Sequence, residues 1–210
     1  MLKPVEHAMT QSRLFAFLAV LAVFAPGVAP TATTTAPLTL APKVDIPRMY
    51  GGWYIVATIP NGFEKGLVEP YDVYSPRKDG SLREDFYVRR GGFDAPRQHF
   101  VVQDFINPGS NGAHWGVRIF WPLKLPFLVL YVDPDYRYVL FGEQNRSVGW
   151  IYSRTQTLDN ATYADLLRHF ATNGYDTTRF RRWVQKPDQI GKPGFWNEGI
   201  RVRKRGARPT

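Results

Sequence analysis

The 210-residue sequence contains no cysteine. Disulfides, thiolate zinc sites and thiol nucleophiles are excluded at once, and so is the lipid-bearing cysteine of a bacterial lipoprotein leader. An exported protein can do without disulfides if its core is large enough. The recognisable signatures of catalysis are missing too: H-E-x-x-H, G-x-S-x-G and the P-loop are all absent. The histidines are His7, His99, His114 and His169. His99 and His114 fall on neighbouring predicted strands and could meet at a metal or haem, but two surface histidines are the simpler reading. Glu84 and Asp85 are adjacent on a predicted strand, so they point to opposite faces and make poor acid–base partners. No catalytic residue, no metal and no cofactor is expected.

Long apolar runs are scarce. The only one covers residues 14–25, twelve residues from Leu14 to Ala25. That is too short to span a bilayer core of about 30 Å, but it suits the hydrophobic region of a signal peptide. Arg13 supplies its positive flank and Pro26-Gly27 its break. Cleavage after Ala32 or after Ala36 is compatible with the small residues there, and Met9 is an alternative start. Residues 1–32 are therefore read as a leader, and 33–43, rich in Thr, Ala and Pro, as a flexible linker. The expected location is periplasmic or secreted, without a lipoprotein anchor.

Acidic residues are few, 18 against 27 basic, for a net charge of +9. The excess is concentrated late, in Lys186, Lys192, Arg201, Arg203, Lys204, Arg205 and Arg208. Residues 187–210 read as a basic, disordered tail. Such a tail could touch an anionic membrane electrostatically, or simply aid solubility. Nucleic acid is not the expected partner.

What the chain does have is aromatic mass: 14 Phe, 11 Tyr and 6 Trp, together with 18 Gly and 17 Pro. That composition favours strands and turns over a helical bundle. Strand patterns fall at 52–59, 68–75, 82–90, 98–106, 115–121, 127–132, 136–141 and 149–154, separated by turn residues such as Pro60-Asn61-Gly62 and Asn107-Pro108-Gly109. Eight strands in a meander can close into a barrel wide enough for one small ligand. One helix follows, with Thr157 as candidate N-cap, Asn173-Gly174 as its stop, and Tyr163, Leu166, Leu167 and Phe170 on one face. That stripe should pack on the outside of the barrel. Residues 179–186 carry a further short strand. The fold class is all-β: an eight-stranded antiparallel up-and-down barrel with one C-terminal α-helix packed outside, spanning 44–186.

Three segments resemble the lipocalin family, in its bacterial and apolipoprotein-D-like branch. Gly51-Gly52-Trp53, followed by Ile59-Pro60-Asn61-Gly62-Phe63-Glu64-Lys65-Gly66, is similar to the G-x-W signature and its loop. Asp133-Pro134-Asp135-Tyr136 resembles the T-D-Y motif, with Pro134 where Thr is usual. Trp150 to Asp159 is similar to the segment joining the last barrel strand to the helix. The resemblance implies that Gly51, Trp53, Asp135 and Arg154 close one barrel end, Arg154 lying across the Trp53 ring. Alternation then selects the inward set Tyr74, Phe86, Val88, Arg90, Ile119, Trp121, Val129, Tyr131, Tyr138, Trp150 and Tyr152. Asp72 shares the Tyr74 face. This lining suits an elongated apolar ligand with a polar or acidic head held by Arg90.

The implied function is binding, storage or transport of a small hydrophobic ligand, such as a fatty acid or lysophospholipid, in the cell envelope, without enzymatic activity. Two other readings stand beside it. One is a lipocalin-fold enzyme acting on a lipid or isoprenoid, which needs a buried carboxylate such as Glu84 or Asp72. The other is an envelope adaptor that binds anionic lipid or a partner through its tail, with a self-filled barrel.

Overall fold

The computed structural model describes residues 36–201, Trp121 excepted. The expected leader, the linker residues 33–35, Trp121 and the tail residues 202–210 lie outside the described residues.

Eight strands succeed one another: β1 Gly51–Thr58, β2 Leu67–Pro76, β3 Leu82–Arg90, β4 Gln98–Ile106, β5 His114–Phe120, β6 Leu123–Val132, β7 Tyr138–Gly142 and β8 Gly149–Ser153. Each pairs antiparallel with the next. β8 then pairs back onto β1, with Ile55 opposite Tyr152 and Thr58 opposite Trp150. The sheet is a closed barrel, which removes the exposed edges that invite aggregation.

The seam between β1 and β2 is only half made. The two strands pair from Gly51 to Tyr54, against Tyr74 to Tyr71. Beyond that point a two-residue strand, β9 Arg181–Arg182, takes over the edge of β1 opposite Ala57 and Thr58. The next residues join both flanks. The Trp183 amide donates to the Val56 carbonyl, and the Glu69 amide donates to the Val184 carbonyl. The Gln185 Nε2 donates to Ile55 O at 2.7 Å and to Pro70 O at 3.1 Å. The expected late strand is thus mostly a wedge, and it satisfies backbone groups that a splayed pair would leave bare.

Apolar side chains sort into two clusters. The first runs through the barrel interior and includes Trp53, Tyr74, Leu82, Val88, Trp115, Val129, Val139, Phe141 and Tyr152. The second lies outside, between the barrel wall and the helix α2 Asn160–Thr172, where Leu166 and Phe170 bury against Ile59, Leu128, Leu130, Leu140 and Ile151. The N-cap of α2 is Asp159 rather than Thr157: its carboxylate accepts from the Thr162 amide and hydroxyl. A carboxylate there answers both the free amides and the positive end of the helix dipole, which a threonine hydroxyl cannot do as strongly.

Both flanks of the barrel are more ordered than composition suggested. In the expected linker, the Ala41 amide donates to the Val129 carbonyl, and Leu38 and Ala41 are buried. In the expected tail, Trp196 is buried edge-on against Trp183 at 5.2 Å, and the Arg201 amide donates to the Gly91 carbonyl. In the C-terminal flank the indole of Trp196 against Trp183 offsets the cost of ordering the segment around it; in the N-terminal flank the buried Leu38 and Ala41 do so.

Candidate functional site: the barrel interior

One end of the barrel is plugged. Trp53, fully buried, donates its indole N–H to the Met49 carbonyl of the short helix α1 Ile46–Met49 at 2.7 Å. The Arg154 guanidinium lies 3.6 Å from the Trp53 ring centre. It donates to three carbonyls at once: Gly52 at 2.8 Å, Arg48 at 2.7 Å and Tyr50 at 3.1 Å. Gly51 has φ +87, and a Cβ there would stand 3.6 Å from the guanidinium, so the backbone turn itself selects glycine. Of the residues expected at this end, Asp135 does not take part in closure: it is exposed, and the turn is ordered by its neighbour. Asp133 accepts from the Asp135 and Arg137 amides and pairs with the Arg137 guanidinium at 3.0 Å. Its carboxylate lies inside the turn where several N–H groups converge, and the Arg137 hydrogen bond is the main cause that holds its pKa down.

Above the plug, rings pack in a chain. Tyr74 meets Trp115 edge-on at 5.6 Å, Trp115 meets Phe141 at 5.3 Å, and Phe127 stacks on Phe141 at 4.4 Å and tilts against Trp150 at 4.8 Å. Phe86 stacks on Phe100 at 6.2 Å. Trp53, Tyr74, Trp115 and Phe141 are fully buried, but Phe86, Phe100, Phe127 and Trp150 face the same cluster and remain only half buried.

The structure divides the expected lining. Tyr74, Phe86, Val88, Val129, Trp150 and Tyr152 join the interior cluster. Tyr131 and Tyr138 belong to the outer one, where Tyr131 stacks on His169 of α2. The reason is a bulge between Val129 and Tyr131, which resets the alternation so that Leu130 and Tyr131 both face outward. On β7, Val139 and Phe141 face in and Tyr138 out, one residue off the expected parity. Arg90 is exposed at the end of β3 and donates to the Lys65 and Phe63 carbonyls of the loop between β1 and β2, so it offers no cation to the interior. Ile119 lies on β5, and Trp121 is outside the described residues. His99 and His114 begin antiparallel neighbours and so sit at opposite ends of the wall, too far apart to share a metal.

The interior holds a polar group that the expected lining named only in part. Asp72 and Asp104 are fully buried, Glu84 is 9% exposed, and the Tyr74 hydroxyl is buried beside them. Asp72 and Tyr74 share the inward face of β2, Glu84 lies opposite Tyr74 on β3, and Asp104 lies opposite Leu82 on β4. Burial pushes Asp72 up to about 8 and Asp104 up to about 7. It pushes Glu84 well above the usual carboxylate range, and the negative charges of its two neighbours add to the shift. Tyr152 and Glu84 bear on the Asp72 proton, yet neither Asp72 oxygen has a partner in good hydrogen-bond geometry. A fourth carboxylate, Glu64 of the first loop, turns inward to accept from Trp150 Nε1 at 2.9 Å and Asn61 Nδ2 at 2.6 Å. Its pKa is raised by burial against those hydrogen bonds. The signal for Asp104 was available: it shares inward parity on β4 with Phe100 and Ile106.

A closed eight-stranded antiparallel barrel, plugged at one end and lined with rings, is the architecture of a ligand-holding β-barrel. A family model described as a lipocalin-like domain matches residues 44–185. Temperature-induced lipocalin-1 of Arabidopsis thaliana is 30% identical over 68% of this chain and 80% of its own length. The outer membrane lipoprotein Blc of Escherichia coli K12 is 29% identical over 71% of this chain and 84% of its own. Among solved structures, lobster apocrustacyanin A1 superposes with a TM-score of 0.55 at 18% identity, covering 76% of this chain and 95% of that one. Insecticyanin from the tobacco hornworm Manduca sexta gives 0.54 at 16%, covering 78% and 89%. The chain belongs to the lipocalin family. Proteins of this family are typically binders of small hydrophobic molecules rather than enzymes.

Proposed function

We propose that this protein holds and carries a small hydrophobic ligand, of fatty-acid or lysophospholipid size, in the interior of its barrel. The observation that carries the reading is the half-burial of Phe86, Phe100, Phe127 and Trp150. Rings that face the interior and still reach solvent mark where an apolar chain would displace water from an aromatic wall. The Trp53–Arg154 plug makes entry one-sided. The envelope setting is supported by the relatives named as outer membrane lipoproteins. The experiment is a titration of delipidated protein with a C12 to C18 lysophospholipid series, read by tryptophan emission and native mass spectrometry. Saturable one-to-one binding that weakens about tenfold or more in Phe127→Ala supports the reading. Absence of binding across the series ends it.

A second reading is favoured by one feature. A lipocalin-fold enzyme needs a buried carboxyl able to give and take a proton near neutrality, and Asp72 and Asp104 meet that requirement. Recovery of a chemically altered lipid after incubation, lost in Asp72→Asn, would support it; unchanged lipid throughout rules it out.

A further inference from the structure

Glu84, Asp72 and Asp104 converge in the barrel with nothing positive to answer them. Among the described residues, Arg146 is the only basic side chain that is buried, and it is engaged by the carbonyls of Asn173, Gln144 and Ala36 at a loop. Arg154 is taken up by the plug. Arg118, on β5, stands opposite Gln103 on the outward parity and lies over the Phe105 ring. The groups that face the cluster are Asp72 and Tyr74 from β2, Glu84 from β3, Asp104 from β4, Tyr152 from β8 and, farther off, Glu64. Every one is a carboxyl or a phenol.

The cluster is also unsatisfied. Both oxygens of Asp72, both of Asp104 and the Tyr74 hydroxyl are buried without a hydrogen-bond partner. Tyr74 is only 1% exposed and is directed among the carboxyls. Each buried polar atom left without a well-aligned partner costs about 1–3 kcal/mol, a cost that a ligand supplying donors would relieve. Four of the five orphaned atoms are carboxyl oxygens, so a ligand bearing several N–H donors would complement the cluster. It must also carry positive charge if the carboxyls are to ionise. No group of three acids or histidines among the described residues is arranged to hold a metal ion. An organic cation would bring both the donors and the charge.

We propose that Asp72, Glu84 and Asp104, with Tyr74 and Tyr152, form a recognition site for the ammonium end of a hydrophobic amine. Its apolar part would lie along Phe127, Phe86 and Trp150. This deepens the carrier reading and rests on it: the carrier supplies the apolar wall, and the cluster selects the head group. In the empty barrel the carboxyls keep protons, and an ammonium takes their place. Binding therefore releases protons and strengthens as pH rises towards 8, the region where Asp72 titrates. A fatty acid gains nothing from the cluster and is repelled as it ionises.

The test uses the full chain and three ligands of equal length: dodecylamine, dodecanol and dodecanoate. Isothermal titration near pH 8, repeated in two buffers of different ionisation enthalpy, reads affinity and proton release together. The amine should bind about tenfold or more tighter than the alcohol and release protons; the carboxylate should be weakest. Asp72→Asn and Asp104→Asn should each remove about tenfold from the amine and leave the alcohol within about threefold. Tyr74→Phe, which keeps the ring packing, should weaken the amine alone by about threefold and serves if an Asn variant fails to fold. An amine no tighter than the alcohol, or variants that weaken both ligands alike, overturns the proposal and leaves the carrier standing. If none of the three binds, the carrier reading falls as well.

Discussion

Arg154 and Trp53 form a single structural unit: the guanidinium covers the indole at 3.6 Å and its N–H groups close on the carbonyls of Gly52, Arg48 and Tyr50. The two residues come from opposite ends of the barrel's chain, on β1 and just after β8. The pair therefore ties the first strand to the last at the place where the barrel must shut. Arginine is the residue that can do this, because its planar fork stacks and donates in several directions together.

Arg154→Ala should thus destabilise the fold by about 2–4 kcal/mol, from loss of the cation–π contact and of charge-assisted bonds to three carbonyls. Arg154→Lys should recover at most about half, since an ammonium cannot serve all three carbonyls while lying over the ring. Chemical denaturation with ligand-free protein measures both. Equal stability of the Ala and wild-type proteins would show the contact to be idle.

The empty barrel should be more stable in mild acid than in mild base. Asp72 and Asp104 are raised to about 8 and about 7, above their unfolded values near 4. Their contribution is therefore complete below about pH 4 and is lost as pH climbs through the folded values. Thermal melting from pH 5 to 8.5 should show the midpoint falling by several degrees. Asp72→Asn, which stays neutral throughout, should flatten that slope. A midpoint that rises with pH would contradict the burial of these carboxyls as acids.

Much of the fold was legible in the sequence, and the reasons are local. Strand and turn signals such as Gly91-Gly92 and Asn107-Pro108-Gly109 mark ends within a residue or two, and the closure pair Trp53 and Arg154 was visible through ordered motifs. Interior placement was harder. A single bulge after Val129 turned Tyr131 outward, and no sequence pattern announces a bulge among uniformly apolar neighbours. Arg90 kept inward parity at a strand end, where the loop carbonyls of Phe63 and Lys65 outcompete the interior for a cation. Asp104 was missed because a buried acid reads as a break in an apolar alternation, although here it is part of the site.

The ordered portion of the basic tail sharpens where a membrane contact would be sought. Residues 187–201 belong to the fold, with Trp196 buried on Trp183. Trp196→Ala should therefore cost about 3 kcal/mol of stability. A chain ending at Arg201 should fold with the wild-type midpoint, because it keeps Trp196 and the Gly91 bond.

Membrane attraction should then be separable from stability. Arg203, Lys204, Arg205 and Arg208 lie beyond Arg201, and each basic group near an anionic surface contributes about 1 kcal/mol at low salt. The chain ending at Arg201 should bind vesicles of anionic phospholipid about tenfold or more weaker than the full chain, with the gap closing at high salt. Sedimentation with vesicles measures this directly, and neutral vesicles should show no difference between the two chains. Undiminished binding of the shortened chain would place the attraction on the folded surface instead, where Arg90 is held against the carbonyl of the exposed Phe63.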